Sequence, residues 1–211
     1  MTTSDGVGRA RSKRGRPSTG VRESVVAAAQ QILTEAGVAR LSTKEVAQRA
    51  GVAESSIFYH FGDRIGLLQA VIQQHLRPLK DVLGAIDEQQ GLRATLVAIV
   101  EALEGFFLDA IPVMAAVQSD AELRSKYLER GRELDLGPHR AVDTVVAHLS
   151  VPHGGERLPD TADPRAIALL LVGAAHQRAL QRHLSPPAAV ASLPTPEAVV
   201  DTVLPLFRHL T

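Results

Sequence analysis

The chain has no cysteine and no tryptophan, and its aromatic content is 3%, made up of five Phe and two Tyr in 211 residues. Without cysteine there is neither a disulfide scaffold nor a thiolate metal site, and that usage suits a reducing compartment. Long apolar runs are missing too. The most apolar stretch, AIALLLVGAA at 166–175, is about half of the ~20 residues that cross a bilayer. The basic residues near the start lead into no apolar segment, so no signal peptide and a cytoplasmic location are expected. Net charge is absent as well, with 23 Lys and Arg against 23 Asp and Glu.

What the chain does have is an apolar fraction of 45%, enough for a packed core. Its charge is unevenly spread: through Arg64 there are ten basic residues against six acidic ones, and beyond it thirteen against seventeen. A basic front and an acidic rear imply that only the front meets a polyanion.

Three of the seven aromatics, Phe58, Tyr59 and Phe61, crowd into LSTKEVAQRAGVAESSIFYHFGDR at 41–64. This stretch reads as two short helices about a Gly51-Val52 turn. Ser42 and Glu45 form an S-x-x-E capping box, and Leu41 with Val46 makes a hydrophobic staple. Thr43 and Lys44 are left outward at a helix N-terminus, where backbone N–H groups favour a phosphate. On the next helix Ile57 and Phe61 are the expected anchors. Ser55, Ser56, Tyr59 and His60 then face solvent, a set that suits close approach to phosphates and base edges.

Upstream, residues 1–19 have no apolar periodicity and are expected to be a disordered basic arm. Within it KRGRP at 13–17 offers Arg14 and Arg16 to a narrow minor groove. Residues 21–36 read as a core helix closed by Gly37. Asp63 is a cap for a long helix carrying Leu68, Val71 or Ile72, His75, Leu79, Val82 and Ile86 inward, with Pro78 bending or breaking it. The remainder reads as helices at 92–108, 111–117 (opened by Pro112), 120–134, 139–149, 164–184 and 195–209. A Gly- and Pro-rich loop, VPHGGERLPDTADP, precedes the last two. The small residues of 164–184 fit either a buried helix or a homodimer seam.

The eight histidines come with no HExxH, no DxD-like pair and no glycine loop after a strand. No enzyme, metal or cofactor is therefore expected. A pocket with apolar walls and polar tips is expected from Leu103, Phe106, Phe107, Met114, His148, His176 and Gln177.

From about residue 21 to 71 the succession of a helix ending in Ala36-Gly37, LSTKEVAQRAGV, SSIFYHF and GDRIGLLQAVI resembles the TetR-type bacterial transcriptional regulators. The resemblance implies an all-α fold: an N-terminal three-helix helix-turn-helix head (20–66) joined by a long helix to a larger helical effector-binding and dimerisation domain (67–211). It further implies a homodimer through the two C-terminal helices, on a pseudo-palindromic double-stranded DNA operator, released by a small-molecule effector. The alternative is a helical small-molecule or protein-binding module that does not act through operator DNA. By matching position, Thr43 and Lys44 correspond to backbone-contacting residues. Glu54, Ser55, Ser56, Tyr59 and His60 correspond to the groove-facing set, and Arg64 stands where the family usually has a phosphate-binding Lys. Two positions depart from the pattern: Ala53 where Ser is frequent, leaving the recognition helix without a good N-cap, and Phe58 where Tyr is common.

Overall fold

A computed structural model describes residues 18–37, 40–86, 89–160 and 162–208. Among them ten helices follow one another: α1 (Ser18–Ala36), α2 (Thr43–Ala50), α3 (Glu54–Phe61), α4 (Arg64–Gly84), α5 (Leu92–Ser119), α6 (Ala121–Leu134), α7 (His139–Leu149), α8 (Pro164–Leu184), α9 (Pro187–Ala191) and α10 (Pro196–Arg208). Apart from an isolated His153–Glu156 bridge, no β pairing occurs among the described residues. The all-α expectation holds.

Two hydrophobic cores organise the chain. The first gathers the inward stripe of α1 (Val25, Ala29, Ile32), Val46 of α2, Ile57 and Phe61 of α3, and Leu67, Leu68 and Val71 of α4. It also takes in Val113, Ala116 and Val117 from the end of α5 and Leu123 from α6. The second gathers Leu79 and Leu83 of α4, α5 from Leu92 to Ile111, Val145 and Leu149 of α7, the inner face of α8, and Val200 and Leu204 of α10. Helices α4 and α5 thus run through both cores. At 1.5 Å per residue the 28 residues of α5 make a rod of roughly 42 Å.

Several sequence expectations are corrected. Residues 92–108 and 111–117 belong to one helix, because α5 passes through Pro112 without ending, and of the two outcomes expected at Pro78 α4 does not show the break. A proline removes one N–H donor, and burial along most of α5 outweighs that loss. On α4 the inward residue after Leu79 is Leu83 and not Val82, which is 43% exposed. Helix α1 begins at Ser18, inside the stretch assigned to the arm, and α9 was not expected at all.

The loop before α8 is held from within. His153, 1% exposed, donates from Nε2 to the His148 carbonyl at 2.7 Å, which leaves Nδ1 to accept from the Thr95 hydroxyl at 3.4 Å. One imidazole therefore ties the loop to α5 and α7.

Candidate nucleic-acid interface

Helices α2 and α3 are defined by their ends. The Ser42 side chain accepts from the Glu45 N–H at 3.1 Å, opening α2 as the capping motif requires. Gly51 closes α2 at φ 67°, a left-handed conformation that favours glycine, and the Val52 N–H reaches the Ala47 carbonyl at 3.0 Å. Helix α3 starts at Ala53 with no side-chain cap, and Gly62 follows it at φ 76°.

The faces of α3 divide cleanly. Ile57 (0% exposed) and Phe61 (8%) point into the first core. The Arg22 guanidinium lies 5.4 Å from the Phe61 ring centroid and covers that ring from α1. Tyr59 is 84% exposed and Phe58 51%. Glu54 and Ser55 are exposed, Ser56 and His60 half-buried, and the His60 ring meets Tyr59 edge-on at 5.0 Å. Two large aromatics thus stand largely outside the core, an unusual exposure for a helix face.

On α2, Lys44 is exposed, while the Thr43 hydroxyl donates to Glu54 Oε1 at 2.5 Å. The first residues of α2 and α3 are thereby tied together across the turn. Arg49, on the far end of α2, is paired to Glu35 of α1 at 2.5 Å. The first bond ties α2 to α3 and the second ties α2 to α1, and spacing in the sequence gave no hint of the Thr43–Glu54 pair.

At the junction with the larger domain, Asp63 has two roles. Its Oδ1 caps α4 by accepting from the Gly66 N–H at 2.8 Å, and its two oxygens accept from Arg130 of α6 at 3.2 and 3.1 Å. Burial alone would raise this carboxyl, but the Gly66 N–H and the Arg130 guanidinium outweigh it and hold it below the ordinary carboxylate value. Arg64 turns toward α6, its Nη1 3.9 Å from Asp120 Oδ2. A cleft of about 120 Å³ opens here between Arg64, Asp120 and Lys126. Arg64 thus sits at the seam between head and body, and Arg14 and Arg16 lie outside the described residues.

The residues expected to line a pocket are only partly brought together. Leu103 and Phe107 are in the second core, with Phe106 and Met114 packed against it. The Phe107 ring touches Phe106 at 5.2 Å and His176 at 5.0 Å between centroids. His148 is engaged elsewhere, its ring nitrogens 3.0 Å from the Thr144 carbonyl and 3.1 Å from that of Leu83 on α4. Gln177 is exposed, on the outward side of α8.

Comparison with known proteins places these features in context. Residues 25–71 match the family model for bacterial regulatory proteins of the tetR family. The HTH-type transcriptional repressor BepR of Brucella suis biovar 1 (strain 1330) is 32% identical over 91 residues, 42% of this chain and 44% of that protein. The HTH-type transcriptional regulator BetI of Stenotrophomonas maltophilia (strain R551-3) is 36% identical over 62 residues, 29% of this chain and 32% of the relative. The match spans less than half the length of either relative. Among solved structures, Salmonella enterica GusR superposes with a TM-score of 0.68 at 16% identity, covering 93% of this chain and 100% of that one. NalD, the secondary repressor of the MexAB-OprM multidrug efflux pump in Pseudomonas aeruginosa, gives 0.54 at 16% identity over 90% and 96%. At such identities these two establish the likeness of the whole helical fold.

Proposed function

We propose that this chain is a TetR-type DNA-binding transcriptional regulator, a reading supported by the match of residues 25–71 to the family model for bacterial regulatory proteins of the tetR family. It represses from a pseudo-palindromic operator and is released by a small-molecule effector. The observation that carries the reading is the α2–α3 unit, with Phe58, Tyr59, Ser55 and Glu54 left exposed on a helix anchored by Ile57 and Phe61. Residues 20–66 serve as the DNA-binding domain and 67–211 as the effector-binding and dimerisation domain. A helix carrying such a face suits the major groove, whose edges offer donors, acceptors and thymine methyls.

Lys44 and Thr43 address the phosphate backbone and the exposed face of α3 addresses the bases. Arg64 reaches phosphate by exchanging its contact with Asp120, and Arg14 and Arg16 extend the footprint into the minor groove. The proteins act in pairs through α8 and α10, a reading supported by Leu169, Leu170 and Leu184 of α8, exposed at 62%, 56% and 71%. Two heads about one helical turn (~34 Å) apart then fit successive major grooves. No described helix is long and apolar enough to cross a membrane.

Titrating fluorescent duplexes, drawn from a genome-wide selection of bound DNA, at several salt concentrations tests this. A steep fall of log K with log[salt] is expected from phosphate contacts. Weak binding to every duplex at low salt would instead favour a module that contacts protein or small molecules alone.

A further inference from the structure

The second core contains charge that its own packing leaves unbalanced. Glu104 of α5 and Arg178 of α8 are 6% and 5% exposed. Arg178 Nε donates to Glu104 Oε2 at 2.7 Å, and Arg182, one turn further along α8, donates from Nε to Oε1. Two guanidiniums share one carboxylate: the Glu104–Arg178 pair is buried, and the surplus positive charge, on Arg182, stands at the half-exposed edge of the cluster. Arg178 Nη1 is buried and has no hydrogen-bond partner. An ionised donor left in that condition costs stability, and a buried unpaired donor of this kind calls for a partner.

Glu197 and Asp201 of α10 are the acids nearby, and Glu197 is close enough for Arg178 to favour its ionised form. Glu197, in the first turn of α10, is exposed, and its carboxyl is held low first by the Thr195 hydroxyl and its own backbone N–H, and to a lesser degree by Arg93 and Arg178. Asp201 forms a two-pronged pair with Arg93 at 2.6 and 2.7 Å. The cluster reaches the surface at one end only, through Arg182, whose side chain is 44% exposed. One turn along α5 from Glu104 lies Phe107, with the His176 ring against it.

We propose that this α5–α8 cluster is the head-group subsite of the effector, and that the effector is a monocarboxylate with an apolar body, bound by Arg178 and Arg182. The proposal rests on the reading of residues 67–211 as the effector-binding domain. A single carboxylate neutralises the one surplus charge and satisfies Nη1, since guanidinium and carboxylate match as paired donors and acceptors. A phosphate monoester, carrying nearly two charges, overshoots it. Arg182 is the gate, being the member of the cluster that solvent already reaches.

The test is calorimetric titration of the full chain at pH 7 with octanoate and benzoate, their neutral amides, and octyl phosphate. At least one acid should bind, and at least tenfold more tightly than its amide and than octyl phosphate. Arg178→Met should reduce that affinity tenfold or more while retaining a cooperative melt. Should Arg178→Met fail to fold, Arg182→Gln, at an exposed position, should still weaken the acid severalfold. Glu104→Gln, which removes the competing internal carboxylate, should tighten it. Absence of binding by both acids, amides that bind equally well, preference for octyl phosphate, or unchanged affinity in Arg182→Gln would each overturn the proposal. No DNA is present in the cell, so a failure of operator binding leaves this result standing. Acid binding without any change in DNA affinity would refute the coupling and leave the subsite intact.

Discussion

Gly66 has no room for a side chain. A Cβ there would lie 1.9 Å from the Phe61 carbonyl oxygen and 3.1 Å from Arg130 Nη1, so Gly66→Ala must push α3 away from α4. Urea unfolding of that variant should register a loss of about 3 kcal/mol, the scale of severe core disruption. Asp63, which caps the same turn, makes a pH-dependent contribution. Its folded carboxyl is held below the unfolded value, so the stabilisation is complete above about pH 4 and is lost as pH falls through the folded value. Asp63→Asn should therefore flatten the acid limb of stability against pH. At the exposed face, Phe58 lacks any hydrogen-bonding group, and what it can read in a major groove is a thymine methyl. Replacing each thymine of the selected operator by uracil should weaken wild-type binding at one position per half-site, and Phe58→Ala should abolish that sensitivity. Equal losses in both proteins would move Phe58 out of the reading set.

Helices were legible in the sequence where their ends carry a signal. Ser42, Gly51 and Asp63 each act at the terminus that their chemistry announces. Pro112 misled, since it looks like a boundary, yet α5 continues through it where apolar packing compensates for a missing N–H. Helix α9 buries no residue, so it leaves no apolar stripe to find. Spacings of three and four are equally helical, and Leu83 rather than Val82 turns inward because the second core lies on that side. The candidate site was readable as a list of exposed types on α2 and α3. Its bonds were not, because Thr43–Glu54, Asp63–Arg130 and Glu104–Arg178 join residues 11, 67 and 74 apart in the chain. One element invites repair. Ala53 gives α3 no side-chain cap, so Ala53→Ser should raise stability by about 0.5–1 kcal/mol in thermal unfolding and slow amide exchange over residues 55–59.

For the molecule as a whole, the sharing of α4 and α5 between two cores predicts a single unfolding transition for the intact chain. A fragment ending at residue 84 lacks Val113, Ala116, Val117 and Leu123, which complete the first core. It should melt well below the full protein, by the order of 10 °C or more, because deleting several buried aliphatic contacts costs a few kcal/mol in a small domain. Mild acid should loosen the joint between α4 and α5 as well. His75 of α4 is 6% exposed beside Asp109 of α5, and burial depresses the imidazole even though Asp109 opposes the shift. The neutral ring is thus the form the fold prefers. Stability should be flat above about pH 6.5 and decline below it, and His75→Gln should remove that slope.

The rod through both cores also sets a schedule. The residues proposed to face the groove are all translated by residue 71, but the side chains that close the first core arrive with residues 113–123 of α5 and α6. At a synthesis rate of ~5–20 residues per second, roughly 3–10 s separate the two events. Through that interval the nascent head has α3 and lacks its floor, so a ribosome-bound chain should be kept from competing for the proposed operator until the body has been made as far as residue 123.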